Sequence, residues 1–197
     1  MTAPIRVSRR LVEKKPYLVW NAFVDLIAGS SYSHLSKKQR PAYLVFRYES
    51  EVHNGGHMQY FENFGTKRIE DTVAALELLG APCHAKVLAR AAARFNSQIR
   101  KRIRSVEEYV ETALEGEFDL FDRKWGKCRP ELEKVLKDYL SANQAEFVLV
   151  GGRSDRKFVE RQTAMDRIGR SILRRMEKEK RGAGNGRGSR ALKGRAR

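Results

Sequence analysis

The side chains that could do chemistry in this 197-residue chain fall into four groups. His53, His57, Cys83 and His84 are the candidate metal ligands. A metal needs three or four converging donors, and no Cys-x-x-Cys or Cys/His spacing supplies them. His53 and His57 stand four apart, but Asn54-Gly55-Gly56 between them removes the helical register that would put both on one face. No metal and no other cofactor is expected. Glu49, Glu51, Asp119 and Asp122 offer carboxylates for acid–base work, yet they follow no pattern, and unpatterned acids read as a solvated face. Gly151-Gly152-Arg153-Ser154 lacks the Gly-Lys-Ser/Thr ending of a phosphate loop, so no nucleotide site is expected there.

The fourth group is basic. Arg100, Lys101, Arg102 and Arg104 form one cluster. Residues 154–181 form a second, with Arg167, Arg170, Arg174 and Arg175 as candidate contacts, and an arginine/glycine tail forms a third. Such clusters neutralise phosphates and release counterions, which gives salt-sensitive, sequence-nonspecific contact with DNA or RNA. The plainer reading is a helix that exposes charge while its apolar stripe docks, with a tail that aids solubility. A membrane-surface helix is disfavoured, because the stripe has no Trp and the segment carries Glu160, Asp166, Glu177 and Glu179.

The elements that position these groups read as helices. Pro16 and Gly29 bracket a helix over 17–28. Ser36 and Gln39 form a capping box that opens the next, although Pro41 sits awkwardly early and the start could slip there. Leu44, Tyr48 and Val52 stripe that helix until Asn54-Gly55-Gly56 stops it. Thr66 and Gly80 bound a third helix, and Pro82 opens a fourth whose Val87, Leu88, Ala91 and Phe95 face one way. Ser105 with Glu108 caps a helix running to about residue 115. Pro130 starts another, with Glu133 and Lys137 as an i,i+4 pair. Only 147–150 could be a strand, and it could equally end a helix.

From Ser154 the residues Phe158, Met165, Ile168, Ile172 and Met176 stripe a last basic helix that Gly182 should end. Residues 182–197 have no acid and one large apolar residue, so disorder is expected. The organisation expected is a helical domain over 1–153, a basic amphipathic helix over 154–181 and an Arg/Gly-rich tail. The charge follows it: residues 1–150 carry net +5 and 151–197 net +11. Two cysteines are too few for a disulfide-built scaffold, so Cys83 and Cys128 are expected to be a reduced pair. With no signal-peptide pattern at the N-terminus, and with the apolar run 17–28 far short of a membrane span, the expected location is the cytoplasm.

The most distinctive run is 51–63, Glu-Val-His-Asn-Gly-Gly-His-Met-Gln-Tyr-Phe-Glu-Asn. It resembles the signature of the bacterial DNA-mimic protein family: an acid, Asn-Gly-Gly, Gln-aromatic-Phe and Asn. Leu79-Gly80-Ala81, Phe118-Asp119-Leu120-Phe121-Asp122 and Tyr139-Leu140 extend the resemblance over about 40–150, with His57 where the family has an aromatic residue. The resemblance implies an all-α fold and Glu51, Asn54, Gly55, Gly56, Gln59, Tyr60, Phe61 and Asn63 as motif residues. For the family's named member it implies binding to a DNA-binding protein through acids spaced like phosphates. The net +5 of residues 1–150 argues against carrying duplex mimicry over.

The residues themselves give the motif a structural reading. Asn54, Gly55 and Gly56 permit a reversal, Tyr60 and Phe61 enter the core, and Gln59 and Asn63 tie the turn's backbone groups by side-chain hydrogen bonds. The functional alternative is a small polar pocket of Glu51, His53, His57, Gln59 and Asn63. The expectation is thus an all-α, compact multi-helix domain with a basic arm. It would act as a non-enzymatic interaction protein that binds a protein partner, with electrostatic help from the arm. Nonspecific nucleic-acid binding is the second reading, and an enzyme with a site near the Asn-Gly-Gly turn the third.

Overall fold

The computed structural model describes residues 1–99 and 103–185, and there the three- and four-residue apolar spacings become helices. In chain order the elements are β1 (Ile5–Val7), α1 (Arg9–Lys14), α2 (Leu18–Gly29), a 3-10 turn (Tyr32–His34), α3 (Gln39–Phe64), α4 (Ile69–Leu78), α5 (Pro82–Asn96), α6 (Val106–Leu114), α7 (Asp119–Lys127), α8 (Leu132–Ala142), α9 (Gln144–Phe147), β2 (Val148–Val150) and α10 (Arg156–Asn185). The fold is all-α. Its two three-residue strands pair in parallel, Ile5 beside Val148 and Val7 beside Val150.

Two compact units are distinguishable, Met1–Arg153 and the segment from Ser154 onward. In the first, α3 is central and packs on α2, α4, α5, α7 and α8. Its core includes Phe23, Tyr48, Phe61, Leu76, Leu88, Leu136 and Phe147, each at 2% exposure or less. The entry to α3 is the capping box read from the sequence. Gln39 N–H donates to Ser36 Oγ at 3.2 Å and Ser36 N–H to Gln39 Oε1 at 3.0 Å. Gln39 is buried, and its Nε2 also donates to the carbonyls of Thr2 (3.3 Å) and Glu146 (2.6 Å), so one side chain caps a helix and holds two distant segments. Pro41 is tolerated because the first turn leaves its missing N–H unneeded.

Several boundaries differ from the sequence reading. Thr66 offers α4 only its carbonyl, which accepts from Ile69 N–H at 3.2 Å, and the N-cap is Arg68 with no side-chain cap. α7 was not among the helices expected; its acids fall in the first turn and its lysines in the last, which suits the helix dipole. α8 begins at Leu132, two residues after Pro130. The 147–150 run divides, Phe147 closing α9 and Val148–Val150 forming the strand, while β1 was unforeseen because three residues are too few to show alternation.

The expected reduced cysteine pair is corrected: Cys83 and Cys128 form a disulfide across 45 residues. Counting cysteines could not find it, since nothing in their number says that the start of α5 meets the end of α7. Beside it lies His84, 2% exposed and with Nδ1 unpartnered, its ring 5.8 Å from Trp125. Burial, then the Arg129 guanidinium, lowers its pKa to about 4.

In the second unit, α10 continues through Gly182 to Asn185 rather than ending at the glycine. Phe158 is buried, whereas Met165, Ile168, Ile172 and Met176 are each half exposed or more. The tail beyond Asn185 lies outside the described residues. Among those described, no helix is long and apolar enough to cross a membrane.

Two outcomes follow. Reduction with dithiothreitol, or Cys83→Ser with Cys128→Ser, should lower unfolding stability by up to about 4 kcal/mol, the chain-entropy value for a loop of this length; urea melts with and without reductant measure it. His84 binds its proton less readily folded than unfolded, so stability should fall as pH drops from about 6.5 to about 4, by on the order of 2 kcal/mol. In a His84→Gln variant the same melts should be flatter across that window.

Candidate functional site

At Gly55 and Gly56 the two halves of α3 meet in a kink. Gly55 has φ −155° and ψ 24°, and Gly56 has φ 74° and ψ −174°. Only glycine takes the second conformation readily. Space demands glycine as well, since a Cβ on Gly56 would stand 2.5 Å from Asp122 Oδ2. The close approach lets Asp122, in the first turn of α7, accept at Oδ1 from both His57 N–H (2.9 Å) and His57 Nδ1–H (2.6 Å).

With Nδ1–H committed to the carboxylate, His57 Nε2 accepts from the Tyr48 hydroxyl at 2.9 Å. Tyr48 and His57 are fully buried, and the Asp122 side chain is 35% exposed. Burial first, then the neighbouring Tyr60 and Asp122, pushes the Tyr48 pKa well above its ordinary value, so its hydroxyl remains a donor. Around this line pack Phe61, Phe95, Phe118 and Phe121, with Phe61 and Phe95 ring centroids 4.6 Å apart.

The motif's other polar residues form a separate clasp. Glu51 Oε2 accepts from Gln59 Nε2 at 2.8 Å and from Asn63 Nδ2 at 2.6 Å, a carboxylate before the kink gripping two amides after it. The expectation that Gln59 and Asn63 tie backbone groups is corrected, because a nearby carboxylate is the stronger acceptor. Tyr60 and Phe61 are buried, and Asn54 is exposed. The five-residue pocket weighed from the sequence does not assemble as one: Glu51, Gln59 and Asn63 come together, His57 joins Tyr48 and Asp122, and His53 lies against Trp125. Among the described residues, no three His, Cys, Asp or Glu side chains are grouped to hold a metal.

Asp122 also walls a cavity of about 280 Å³ with Gly55, Gly56, Thr112, Glu117 and Asp119. Glu117 is held by Arg94 at 2.9 Å. Tyr109 of α6 shares this field; burial, then Glu62, Asp122 and Glu51, raises its pKa. The carboxylates belong to a wider run: residues 105–122 contain seven acids and no base. Glu107, Glu108, Glu111, Glu115 and Asp119 are exposed, as are Val106, Val110 and Leu120 among them. The second capping box holds this helix in place, Ser105 Oγ accepting from Glu108 N–H at 3.2 Å and the Glu108 carboxylate from Arg104 N–H at 2.7 Å. Such a surface can receive lysine or arginine side chains.

Of the candidate nucleic-acid contacts, Arg104, Arg167, Arg170, Arg174 and Arg175 are exposed, and Arg100, Lys101 and Arg102 lie outside the described residues. Sequence reading missed the roles of Tyr48 and Asp122. The available signal was His57 itself: an imidazole within an apolar stripe must find partners when buried.

A family profile described as DMP19-like protein matches residues 33–143, more than half of the chain and the whole of the kink, the clasp and the acidic run. No curated protein and no solved structure matches.

Gly56→Ala should destabilise the protein by at least about 2 kcal/mol, since it combines backbone strain with a collision. Gly169→Ala, in α10 with nothing within 4 Å of the added carbon, should be neutral or slightly stabilising. Gln59→Ala and Asn63→Ala should each lose about 1 kcal/mol. Thermal melts of the four variants rank them.

Proposed function

The chain belongs to the DMP19-like protein family, a DNA-mimic family, and from that premise we propose that it is a non-enzymatic interaction protein whose acidic 105–122 segment engages the basic surface of a DNA-binding protein. The observation that carries this reading is the segregation of charge: seven acids without a base in one stretch, five of them exposed, inside a chain of net +16. Exposed Val106, Val110 and Leu120 give that stretch apolar anchors, the usual companions of charge in a contact that excludes water. Net charge over the whole body conceals this. Of the carboxylates in the cavity beside Gly56, exposed Asp119 suits the end of an incoming lysine or arginine, Asp122 and Glu117 being held by His57 and Arg94.

The basic C-terminal helix supports a second contact. Arg167, Arg170, Arg174 and Arg175 are exposed on α10, where they can meet phosphates while the acidic segment holds protein. A complex with a DNA-bound partner would use both.

Replacing Glu107, Glu111 and Asp119 together by Lys should weaken retention of the partner at least about a hundredfold and abolish its competition with duplex DNA. Unchanged retention would remove the acidic segment from the interface. Changing Arg167, Arg170, Arg174 and Arg175 to Gln should flatten the dependence of log K on log salt for mixed duplex DNA by up to about 3.6 units. An unaltered slope would mean that the helix does not contact phosphate.

A further inference from the structure

We propose that the cavity between the 3-10 turn and α3 binds a nucleotide, its ring on Tyr43 and Phe64 and its phosphate on Arg47 and Lys67. The site lies apart from the acidic segment and reverses its chemistry. It is a cavity of about 150 Å³ lined by aromatic rings and cations, with no carboxylate in its wall. That is the volume of about five waters, room for one planar heterocycle but not for a drug-sized molecule.

The cations are under-used. Among the described residues the Arg47 guanidinium makes a single hydrogen bond, Nη2–H to the Ala28 carbonyl at 3.0 Å, and its buried Nε is unpartnered. The Arg40 Nε nearby is likewise buried without a partner. None of Arg40, Arg47 and Lys67 is ion-paired among the described residues; the acid in reach, Asp71, takes Arg68 at 3.2 Å. A guanidinium carries five donors, and leaving the buried Nε–H without an acceptor is unfavourable.

The rings supply the second half of the recognition. Arg47 lies over Tyr43 at 5.3 Å and over Phe64 at 5.6 Å, and Arg68 lies over Tyr32 at 3.7 Å. Alternating rings and guanidinium planes form the surface on which single nucleobases stack, and phosphate is the anion that guanidinium and ammonium groups bind best together. Phe64 is 38% exposed and Lys67 is exposed, so the mouth is open. No motif announces this site, since its parts come from residues 32–72 through the packing of the turn on α3.

A free mononucleotide and an unpaired nucleotide of a single strand present the same chemistry. The test is calorimetric titration of the full chain with AMP, with UMP, with a single-stranded U tetramer, and with inorganic phosphate and a glutamate-rich peptide as counter-probes. We expect saturable one-to-one binding of mononucleotide or tetramer, at least about tenfold tighter than phosphate or peptide. Tetramer binding without mononucleotide binding would identify a strand as the source. Phe64→Ala and Lys67→Glu should each weaken it at least about tenfold, and Arg47→Met should do the same, with thermal melts confirming that each variant is folded. Equal binding of phosphate or peptide, insensitivity to the rim variants, or no saturable binding of either nucleotide probe would overturn the proposal.

Discussion

Asp122, His57 and Tyr48 form one hydrogen-bonded line from the wall of a cavity into the core, and the arrangement of α3 and α7 follows from it. A buried imidazole has two ring nitrogens that must both be satisfied, and a carboxylate satisfies one of them far better than a neutral acceptor. To deliver that carboxylate, the first turn of α7 must press against α3 so closely that no side chain fits at Gly56. The kink of α3 is therefore the geometric condition for burying His57, and the Glu51 clasp across it keeps the two halves of the helix in fixed relation. The phenylalanines that pack around the line are held by the same constraint.

How much of this the sequence disclosed depended on the range of the interaction. Both capping boxes were legible, because Ser36 with Gln39 and Ser105 with Glu108 act over three residues and carry their geometry in their spacing. The glycine kink was legible as a break and the burial of Tyr60 and Phe61 was legible from their aromatic character, but the resumption of the helix to Phe64 after the kink was not. The pairings that cross the chain were not. Asp122 lies 65 residues from His57 and Cys128 lies 45 from Cys83, and no periodicity encodes which distant residue a side chain will meet. β1 escaped for the same reason, being too short to leave a pattern and made only by pairing across almost the whole body with the 147–150 run, which the sequence left open between strand and helix end.

Charge illustrates a different limit, that of averaging. A sum over 150 residues gives a mildly basic body, while 18 consecutive residues of it hold seven acids and no base and the rings at Tyr32, Tyr43 and Phe64 gather cations. Electrostatic recognition acts over about a Debye length, so what a partner meets is the local pattern and not the sum. One small helical scaffold can thus present surfaces of opposite sign.

The disulfide bears on the acidic segment in a way that neither feature reveals alone. None of the described side chains of α6 is buried, so little hydrophobic packing holds that helix to the body. Besides the Arg94–Glu117 ion pair and the Asp122–His57 contact just after it, a covalent constraint bounds it: Cys83 and Cys128 close a ring of chain that contains all of 105–122. The ring shortens the tether on which those carboxylates move and so keeps them close to one another. Opening it would leave every acid in the sequence unchanged while lengthening the free chain that carries them.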